Sequence, residues 1–313
     1  MSDLFEDRAA SPMLVGAQGE PFDDDACIFE LKLDGERCLA YLGDGAVELR
    51  NKRNNRLAPK FPELASLHRQ VRRRCILDGE LTVLVDGAPS FSALLSRIMQ
   101  SGRGLRAQLS AEQYPASFTA FDILYLDDRP LVNLPLIERK ALLAKTVRES
   151  DRVAVSRYIE TRGVDFYALA KARRLEGIVA KYKDSVYRMG KRTADWIKIK
   201  NMQDDDFVLC GWIPKEKNVT SLVLGQYRDG ALAYCGHVTL AAAGETLRRV
   251  RAQKRGPCPF AALPPGNADA VWIVPKLVGT VTFMHRTAGG GLRQPVFKGL
   301  RDDKAADECV DLT

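Results

Sequence analysis

The apolar positions of the chain predict short strands interrupted by a few amphipathic helices. Alternating or continuous apolar runs predict strands at 28–33, 37–42, 81–85, 117–126, 177–181 and 196–200. A spacing of Leu and Ala near 3.6 residues predicts helices at 64–74, from 91 towards a Gly-rich loop ending near 106, at 136–148 and at 164–174. The first 200 residues therefore predict a mixed domain of sheets flanked by helices.

The pattern changes after Lys200. An acidic stretch, 203–206, reads as a break in the structure and as a candidate hinge. Short strands separated by turn signals follow it, at 207–213, 221–227, 231–237 and 271–283. Closely spaced short strands in a segment of this size predict a small β-barrel, with an OB-fold as the candidate. We therefore predict an α+β chain with two domains, 1–200 and 201–313.

Composition and charge narrow the class of protein. The chain of 313 residues carries a formal net charge of +7, which favours a polyanionic partner. A nucleic acid is the preferred candidate over a membrane surface. No apolar run has the length of a membrane span, and the acidic start is unlike a signal peptide, so a cytoplasmic protein is expected. The 7 cysteines include no C-x-x-C pair, which argues against a zinc site or a disulfide framework.

One polar element stands between the first two predicted strands. Lys32-Leu33-Asp34-Gly35-Glu36-Arg37 has the form K-x-D-G-x-R, and Asp34-Gly35 is a turn dipeptide typical of a hairpin. A lysine held rigidly beside an acid and a tight turn suits a covalent lysyl–nucleotide intermediate. The amine must be neutral to attack phosphorus, whereas a free lysine is almost wholly protonated at neutral pH, so neighbouring cations and burial would have to assist.

Other residues offer the remaining parts of such a site. Lys198 and Lys200 alternate on one predicted strand and would grip a phosphate from the same face. Glu80 and Glu176 stand at predicted strand boundaries, where a carboxylate reaches a ribose or a metal ion. Phe121 lies within a strand and would stack on a purine. Each residue alone also fits a turn, a core position or a solvated strand face; their joint occurrence in order favours the chemistry.

This ordered set resembles the covalent nucleotidyltransferase superfamily of ATP-dependent DNA ligases, RNA ligases and mRNA capping enzymes. The segments that carry the resemblance are 32–37, 49–51, 77–80, 120–126, 176–181 and 196–200. The segments Lys60-Phe61-Pro62-Glu63-Leu64 and 292–304 narrow it to bacterial ATP-dependent DNA ligases, especially the ligase module of the end-joining ligase D type. The resemblance implies an adenylation domain with antiparallel sheets, followed by an OB-fold domain.

The resemblance also implies roles for individual residues around the nucleophile. Lys32 would become adenylated. Arg37 and Arg50 would contact the ribose and phosphate of AMP, or the nick. Glu80 would hold the ribose and Glu176 the metal ion, with both carboxylates counted as candidate metal ligands.

A second group would hold the rest of ATP. Phe121 would stack on adenine, and Glu30 would stand at the adenine pocket, although a solvent-facing position is an equal alternative for it. Lys198 and Lys200 would hold the α-phosphate. The pyrophosphate leaving group would be oriented, on closure of the OB domain, by three residues near the C-terminus: Arg293, Arg301 and Lys304.

The function implied is ATP-dependent sealing of 5′-phosphate/3′-hydroxyl nicks through lysyl-AMP and DNA-adenylate, in repair or end joining. The expected cofactors are ATP and Mg²⁺ or Mn²⁺, and the expected partners are nicked duplex DNA and, in end joining, Ku. A monomer associated with the bacterial nucleoid is expected. The alternatives are an RNA ligase or another covalent nucleotidyltransferase, such as a GTP-using capping enzyme, and a non-catalytic OB-type nucleic-acid binder.

Overall fold

The computed structural model describes residues 3–43, 45–85, 87–99, 104–215, 219–241, 244–287 and 289–311. The chain divides into two compact units, Met1–Asn201 and Met202–Thr313. No helix within the described ranges is both long and apolar enough to cross a bilayer.

The first unit contains twelve of the described strands and four α-helices. The strands are β1 Leu14–Gln18, β2 Asp24–Leu31, β3 Glu36–Gly43, β4 Ala46–Asn51, β5 Cys75–Val85, β6 Ala88–Pro89, β7 Ala116–Leu126, β8 Arg129–Pro130, β9 Val153–Val155, β10 Tyr158–Thr161, β11 Gly177–Tyr182 and β12 Arg192–Lys200. The helices are α1 Phe91–Met99, α2 Leu105–Gln113, α3 Leu136–Thr146 and α4 Gly163–Ala172.

These strands form two sheets. The five-stranded sheet has the order β1-β12-β11-β2-β10, and the seven-stranded sheet has the order β4-β3-β5-β7-β8, with β6 beside β5 and β9 beside β7. The pairs β1–β12 and β7–β9 are parallel, and the other pairs are antiparallel. The α+β prediction is confirmed, with the correction that the sheets are not wholly antiparallel.

The two sheets share an apolar layer, to which the seven-stranded sheet contributes Leu39 and Phe121 and the five-stranded sheet contributes Trp196. The opposite face of the seven-stranded sheet packs on helices through residues such as Leu94 and Leu143. Helix α4 covers the opposite face of the five-stranded sheet. Polar side chains that point into the shared layer are therefore enclosed by both sheets, and this layer positions the site.

The structure corrects three local predictions in this unit. The strands on either side of Asp34-Gly35 are not a hairpin, because β2 belongs to the five-stranded sheet and β3 to the seven-stranded sheet. Glu80 does not stand at a strand boundary but in the interior of β5. The helix predicted at 64–74 is replaced by short 3₁₀ turns, Pro62–Leu64 and Leu67–Gln70.

The described residues of the second unit form a β-rich domain with one short α-helix. Its elements are β13 Gln203–Pro214, β14 Val219–Arg228, β15 Ala231–Ala241, α5 Glu245–Arg251, β16 Val271–Trp272, β17 Val278–Phe283 and β18 Val296–Arg301. The antiparallel order is β15-β14-β13-β17-β18, with β16 beside β13. The acidic stretch 203–206 was wrongly predicted as a break, because it forms the first part of β13 and pairs with β17.

Candidate active site

Lys32 lies immediately after β2, where the chain leaves the five-stranded sheet. Its backbone N–H donates to the Gly177 carbonyl at 2.9 Å, and its Nζ is 2.8 Å from Glu176 Oε1. Gly177 has φ +135°, and a Cβ there would lie 2.1 Å from the Ile199 carbonyl oxygen, so only glycine fits beside β12. The start of β11 thus holds the lysine and its acidic partner together.

Gly35 brings the same segment against β5. A Cβ on Gly35 would lie 2.1 Å from the Leu81 carbonyl oxygen and 2.8 Å from Glu80 Cγ. The absence of a side chain therefore permits a backbone approach that any other residue would block. The Asp-Gly pair of the motif carries the chain from one sheet to the other and brings it beside Glu80.

Arg37 is the first basic side chain on β3 and faces the shared layer. Its Nε and Nη2 donate to Asp78 Oδ1 and Oδ2, each at 2.6 Å. Burial disfavours the guanidinium charge, but Asp78 outweighs it and raises the pKa of Arg37 above its usual value. The Tyr187 hydroxyl also donates to Asp78. Arg37 is therefore fixed by a bidentate, enclosed ion pair.

Glu80 and Glu176, two carboxylates near Lys32, have unusual electrostatics. Glu80 pairs with Arg37 across β5 and β3, and burial raises its pKa to about 8 even though Arg37 and Lys32 act in the opposite direction. Burial also raises the pKa of Glu176, again against the charge of Lys32. Glu176 Oε2 is buried and has no hydrogen-bond partner among the described residues. Both carboxylates are thus poised to gain from a bound cation or hydroxyl group.

A small cleft lies beside this cluster. Its walls are formed by Val15, Glu30, Leu31, Lys32, Leu33, Arg37, Glu80, Phe121, Val179, Lys181 and Trp196. Phe121 has no partner on β5, because the register shifts between Asp78 and Gly79, and such irregularities re-aim side chains. Its ring meets Trp196 edge-on at 6.2 Å. The cleft joins an aromatic wall to a charged mouth.

Glu30 lies at the wall of this cleft and not in solvent, with 2 % of its surface exposed. Its carboxylate is 3.2 Å from Lys181 Nζ and 2.9 Å from Lys140 Nζ, and it accepts a 2.8 Å hydrogen bond from the Ser156 hydroxyl. Burial opposes its ionisation, but Lys181 and Lys140 outweigh it, so the pKa of Glu30 lies below its usual value. Glu30 is thereby held as an enclosed hydrogen-bond acceptor.

The two lysines of β12 follow Trp196 at alternating positions. Lys198 and Lys200 therefore face the same side of the sheet as this tryptophan, which lines the cleft. Lys200 pairs with Gly177 across the sheet, and its charge lowers the pKa of the Glu176 carboxyl against the effect of burial. The structure thus brings this edge of β12 to the end of β11 that holds Lys32.

Arg50 is not brought into the cleft. It lies on β4, opposite Leu39, so it shares a sheet face with Arg37 but sits one strand farther out. Its Nε donates to Glu48 at 2.6 Å, and its Nη1 donates to the Asn54 carbonyl at 3.0 Å. These contacts fix Arg50 at the start of the basic loop instead of beside Lys32.

In the second unit, Asp206 on β13 gathers two of the three predicted C-terminal cations. Asp206 Oδ2 is 3.1 Å from Arg301 Nη1 and 3.0 Å from Lys304 Nζ, and its other oxygen accepts from Thr280 at 2.6 Å. These partners outweigh burial and lower the pKa of Asp206. Arg293 precedes β18 and is joined to Met284 by a 2.9 Å backbone hydrogen bond.

Sequence reasoning missed the buried cations of α3. Arg139 forms a bidentate pair with Asp122 at 2.8 and 2.9 Å, and Lys140 reaches Glu30. The sequence of this helix gives only one signal, two consecutive cations within an amphipathic pattern, and such residues are usually solvated. Lys181 is also enclosed, with its Nζ 4.4 Å from the Trp196 ring centre.

Comparisons with known proteins agree with this geometry. Residues 15–200 match the sequence family described as ATP dependent DNA ligase domain, and residues 215–304 match the ATP dependent DNA ligase C terminal region. The multifunctional non-homologous end joining DNA repair protein LigD of Mycobacterium tuberculosis is 32 % identical over 294 residues, which cover 90 % of this chain and 37 % of LigD. The chain thus spans little more than a third of that relative.

Two further relatives match more of their own length. The SPbeta prophage-derived DNA ligase-like protein LigB of Bacillus subtilis is 33 % identical over 71 % of this chain and 77 % of its own. The structure of mycobacterial DNA ligase D complexed with ATP and MES has a TM-score of 0.57 and 30 % identity, covering 96 % of this chain and 98 % of that one. The resemblance to bacterial ATP-dependent DNA ligases of the ligase D type is confirmed, and the chain belongs to the ATP-dependent DNA ligase family.

Proposed function

We propose that this protein seals 5′-phosphate/3′-hydroxyl nicks in duplex DNA, with Lys32 as the nucleophile. The observation that carries the proposal is the position of Lys32, whose Nζ is 2.8 Å from Glu176 at the mouth of an aromatic cleft. On this proposal the unit up to about residue 200 is the adenylation domain, and the unit from 201 is the OB-fold domain.

The reaction consists of three transfers. The Lys32 amine loses its proton and attacks the α-phosphorus of ATP, so that a P–N bond forms and pyrophosphate leaves. The 5′-phosphate oxygen of the nick then displaces Lys32 and takes the AMP. The 3′-hydroxyl finally attacks the activated 5′-phosphate, which forms the phosphodiester and releases AMP. Each transfer requires in-line positioning, for which Lys198 and Lys200 would hold the α-phosphate.

A divalent cation, Mg²⁺ or Mn²⁺, is part of the proposal. No cluster of three or more ligating side chains occurs among the described residues. Mg²⁺ is nevertheless often held by one or two carboxylates together with substrate phosphates, and the unpartnered Glu176 Oε2 beside Glu80 fits that mode. Glu176 and Glu80 would hold the ion, which would neutralise phosphate charge, while Glu80 would also accept from the ribose.

The nucleobase would lie in the cleft. Phe121 would stack on adenine, with Val179 lining the same cleft, and Glu30 Oε1 would accept from the exocyclic amine. Arg37 would support the sugar and phosphate side of the cleft. Arg50, from its place at the basic loop, would contact DNA phosphate.

The second unit would complete ATP binding and DNA binding. Arg301 and Lys304, together with Arg293, would orient the pyrophosphate leaving group. A net charge of +7 suits contact with the DNA backbone without base readout. A nucleoid location follows from such a substrate. Because LigD is named for non-homologous end joining, Ku is a candidate partner and DNA ends are a candidate substrate. We propose that the protein acts as a monomer.

The experiment that tests the proposal compares wild type with Lys32→Ala on a singly nicked duplex, with ATP and Mg²⁺ or Mn²⁺. We expect sealing and a covalent AMP adduct for the wild type and neither for the variant. Sealing that survives the substitution would show that another residue is the nucleophile. An adduct without DNA sealing, but with sealing of nicked RNA, would favour the RNA ligase alternative.

A further inference from the structure

Lys140 is a buried cation that the chemistry above does not use. It lies on α3 with 3 % of its surface exposed, one residue after Arg139, whose pairing with Asp122 anchors the helix to β7. A lysine is rarely enclosed to this degree without a partner that requires its charge. Its surroundings therefore indicate what the charge is for.

Three contacts place the Lys140 ammonium between the two sheets. Its Nζ is 2.9 Å from Glu30 Oε1 on β2, and it donates to the Phe121 carbonyl at 3.3 Å on β7. A third bond, to the Ser156 carbonyl at 3.1 Å, connects it to the residue whose hydroxyl donates to Glu30. One cation thus joins the acidic wall of the cleft to the residue that forms its aromatic wall.

Glu30 retains an acceptor site that the protein does not fill. Its Oε1 is buried and lies 2.9 Å from Lys140 Nζ, and because a carboxylate oxygen has two lone pairs, at least one remains for a donor from a ligand. An ionised carboxylate only accepts hydrogen bonds. A base with an amino group at this edge, such as adenine, can donate a hydrogen bond to Glu30 Oε1. A base with a carbonyl there, such as guanine, would instead place one acceptor against another.

The groups around Glu30 explain why its charge persists. Lys181 approaches from β11 and Lys140 from α3, while Ser156 donates a hydrogen bond and Tyr158 lies opposite on β10. The charges of Asp122 and Arg37 act on Lys181, and burial lowers the pKa of Lys181. Lys140 therefore supplies one of the two positive charges in direct contact with the carboxylate.

We propose that Lys140 is a positioning residue for nucleobase selection, which keeps Glu30 an obligate acceptor and ties it to Phe121. The proposal rests on the proposed function, because it assigns the base pocket of the same site. Lys140 touches neither base nor phosphate in this scheme; it acts through the two residues that do. Loss of the Lys140 charge should therefore alter the preference for ATP over GTP more than it alters the rate of phosphoryl transfer.

The test is formation of the covalent lysyl–nucleotide adduct from labelled ATP and GTP between pH 5.5 and 8.5. Wild type is compared with Lys140→Met, which keeps the length of the side chain without its charge. Removing one cation raises the pKa of Glu30, so its protonated form becomes a donor for the guanine carbonyl. We expect the ratio of the adduct-formation rate with ATP to the rate with GTP to be roughly tenfold lower in Lys140→Met than in wild type, the equivalent of one charged hydrogen bond. This ratio should fall further as the pH is lowered.

The controls separate a positioning role from a merely structural one. Lys145→Met removes an exposed lysine of the same helix and should leave the ratio at its wild-type value. Lys140→Arg should restore most of the preference and remove its pH dependence. A Lys140→Met ratio equal to wild type at every pH, or an equal loss with both nucleotides, would overturn the proposal.

A second variant covers the possibility that Lys140→Met does not fold, which a thermal melt would reveal. Glu30→Gln presents both a donor and an acceptor at the same place, so it should raise the use of GTP relative to ATP without pH dependence. An unchanged ratio in Glu30→Gln would overturn the proposal independently. If wild type forms no adduct on Lys32 with either nucleotide, the proposed function itself has failed.

Discussion

At the scale of single residues, the site depends on groups whose charge is costly where they lie. Glu80 and Glu176 are enclosed carboxylates beside Lys32, and burial raises the pKa of both. Glu30 is more deeply buried, with 2 % of its surface exposed, but has a lowered pKa because two lysines outweigh the effect of burial. The same residue type is therefore set to different protonation behaviour by its neighbours, which is a common feature of catalytic sites.

Glu80 gives a pH-dependent prediction. Its pKa of about 8 in the folded protein exceeds the usual value for glutamate, so the folded state binds its proton more tightly than the unfolded state. The free energy of unfolding should therefore fall as the pH rises from about 5 through 8. Glu80→Gln removes this contribution, so its unfolding free energy relative to wild type should increase over that range.

Urea unfolding at several pH values, without nucleotide or metal ions, measures this difference. Glu112→Gln on α2 is the matched control, because Glu112 is exposed. A difference between Glu80→Gln and wild type that stays constant from pH 5 to 9 would contradict the prediction.

At the scale of elements, the segment 60–64 connects a sequence signal to packing. Glu63 accepts a 2.9 Å hydrogen bond from the Ala116 N–H at the start of β7 and pairs with Arg97 of α1. Arg97 also donates to the Lys60 carbonyl at 2.7 Å. The Phe-Pro-Glu-Leu segment therefore anchors a helix and a strand of the seven-stranded sheet.

The pair Arg97–Glu63 gives a stability prediction. Arg97 has 2 % of its surface exposed, so Arg97→Met would leave the Glu63 carboxylate in an enclosed position without its cation. We expect the free energy of unfolding to fall by about 3–5 kcal/mol, as for other buried pairs that lose one partner. Urea denaturation measures it, with the exposed Arg106→Met as the control. A loss no larger than that of the control would show that the pair is not stabilising.

Elements were also the scale at which sequence prediction succeeded and failed most clearly. The apolar runs of β7, β11 and β12 predict strands because both faces of these strands are covered. The hairpin at Asp34-Gly35 was wrong because a turn dipeptide describes local backbone shape, not the sheet in which the next strand pairs. The acidic stretch 203–206 was wrong because each carboxylate finds a partner across strands, such as Thr282 for Asp204.

Some residues of the candidate site could be predicted from the sequence and others could not. Residues within contiguous motifs, such as Lys32, Glu176 and Lys198, could be named from the sequence because the chemistry requires those types at those spacings. Lys140 could not, because its role arises only when α3 packs against β2 and β7. A lysine on an amphipathic helix carries no signal of the carboxylate that it will contact in the folded protein.

At the scale of the whole molecule, charge sets the expected mode of DNA binding. The net charge of +7 includes an exposed basic loop after β4 that contains Lys52 and Arg53. The logarithm of the affinity for nicked duplex should fall linearly with the logarithm of salt concentration, with a slope of about −0.9 per neutralised phosphate. Fluorescence anisotropy would measure it, and Arg53→Ala should reduce the slope by about one phosphate. A flat response would contradict backbone binding.

The C-terminal cations give a prediction about the order of steps. If Arg301 serves only the pyrophosphate leaving group, Arg301→Ala should slow self-adenylation by roughly a hundredfold, as removal of a charge-stabilising donor does elsewhere. Sealing of a nick that already carries AMP should be spared. Lys298→Ala, at an exposed position of the same strand, is the control. Equal losses in the two assays would contradict this division.

The connection between β2 and β3 has a consequence for how the protein should respond to its own modification. Four residues, 32–35, join the two sheets, and Gly35 is pressed against β5 with no room for a side chain. An adenylyl group on Lys32 would therefore be attached to a short covalent connection between the two sheets. Backbone amides of β2 and β3 should therefore exchange their hydrogens more slowly after adenylation than before it. The slowing should occur in both strands together, because the modified residue lies in the segment that joins them.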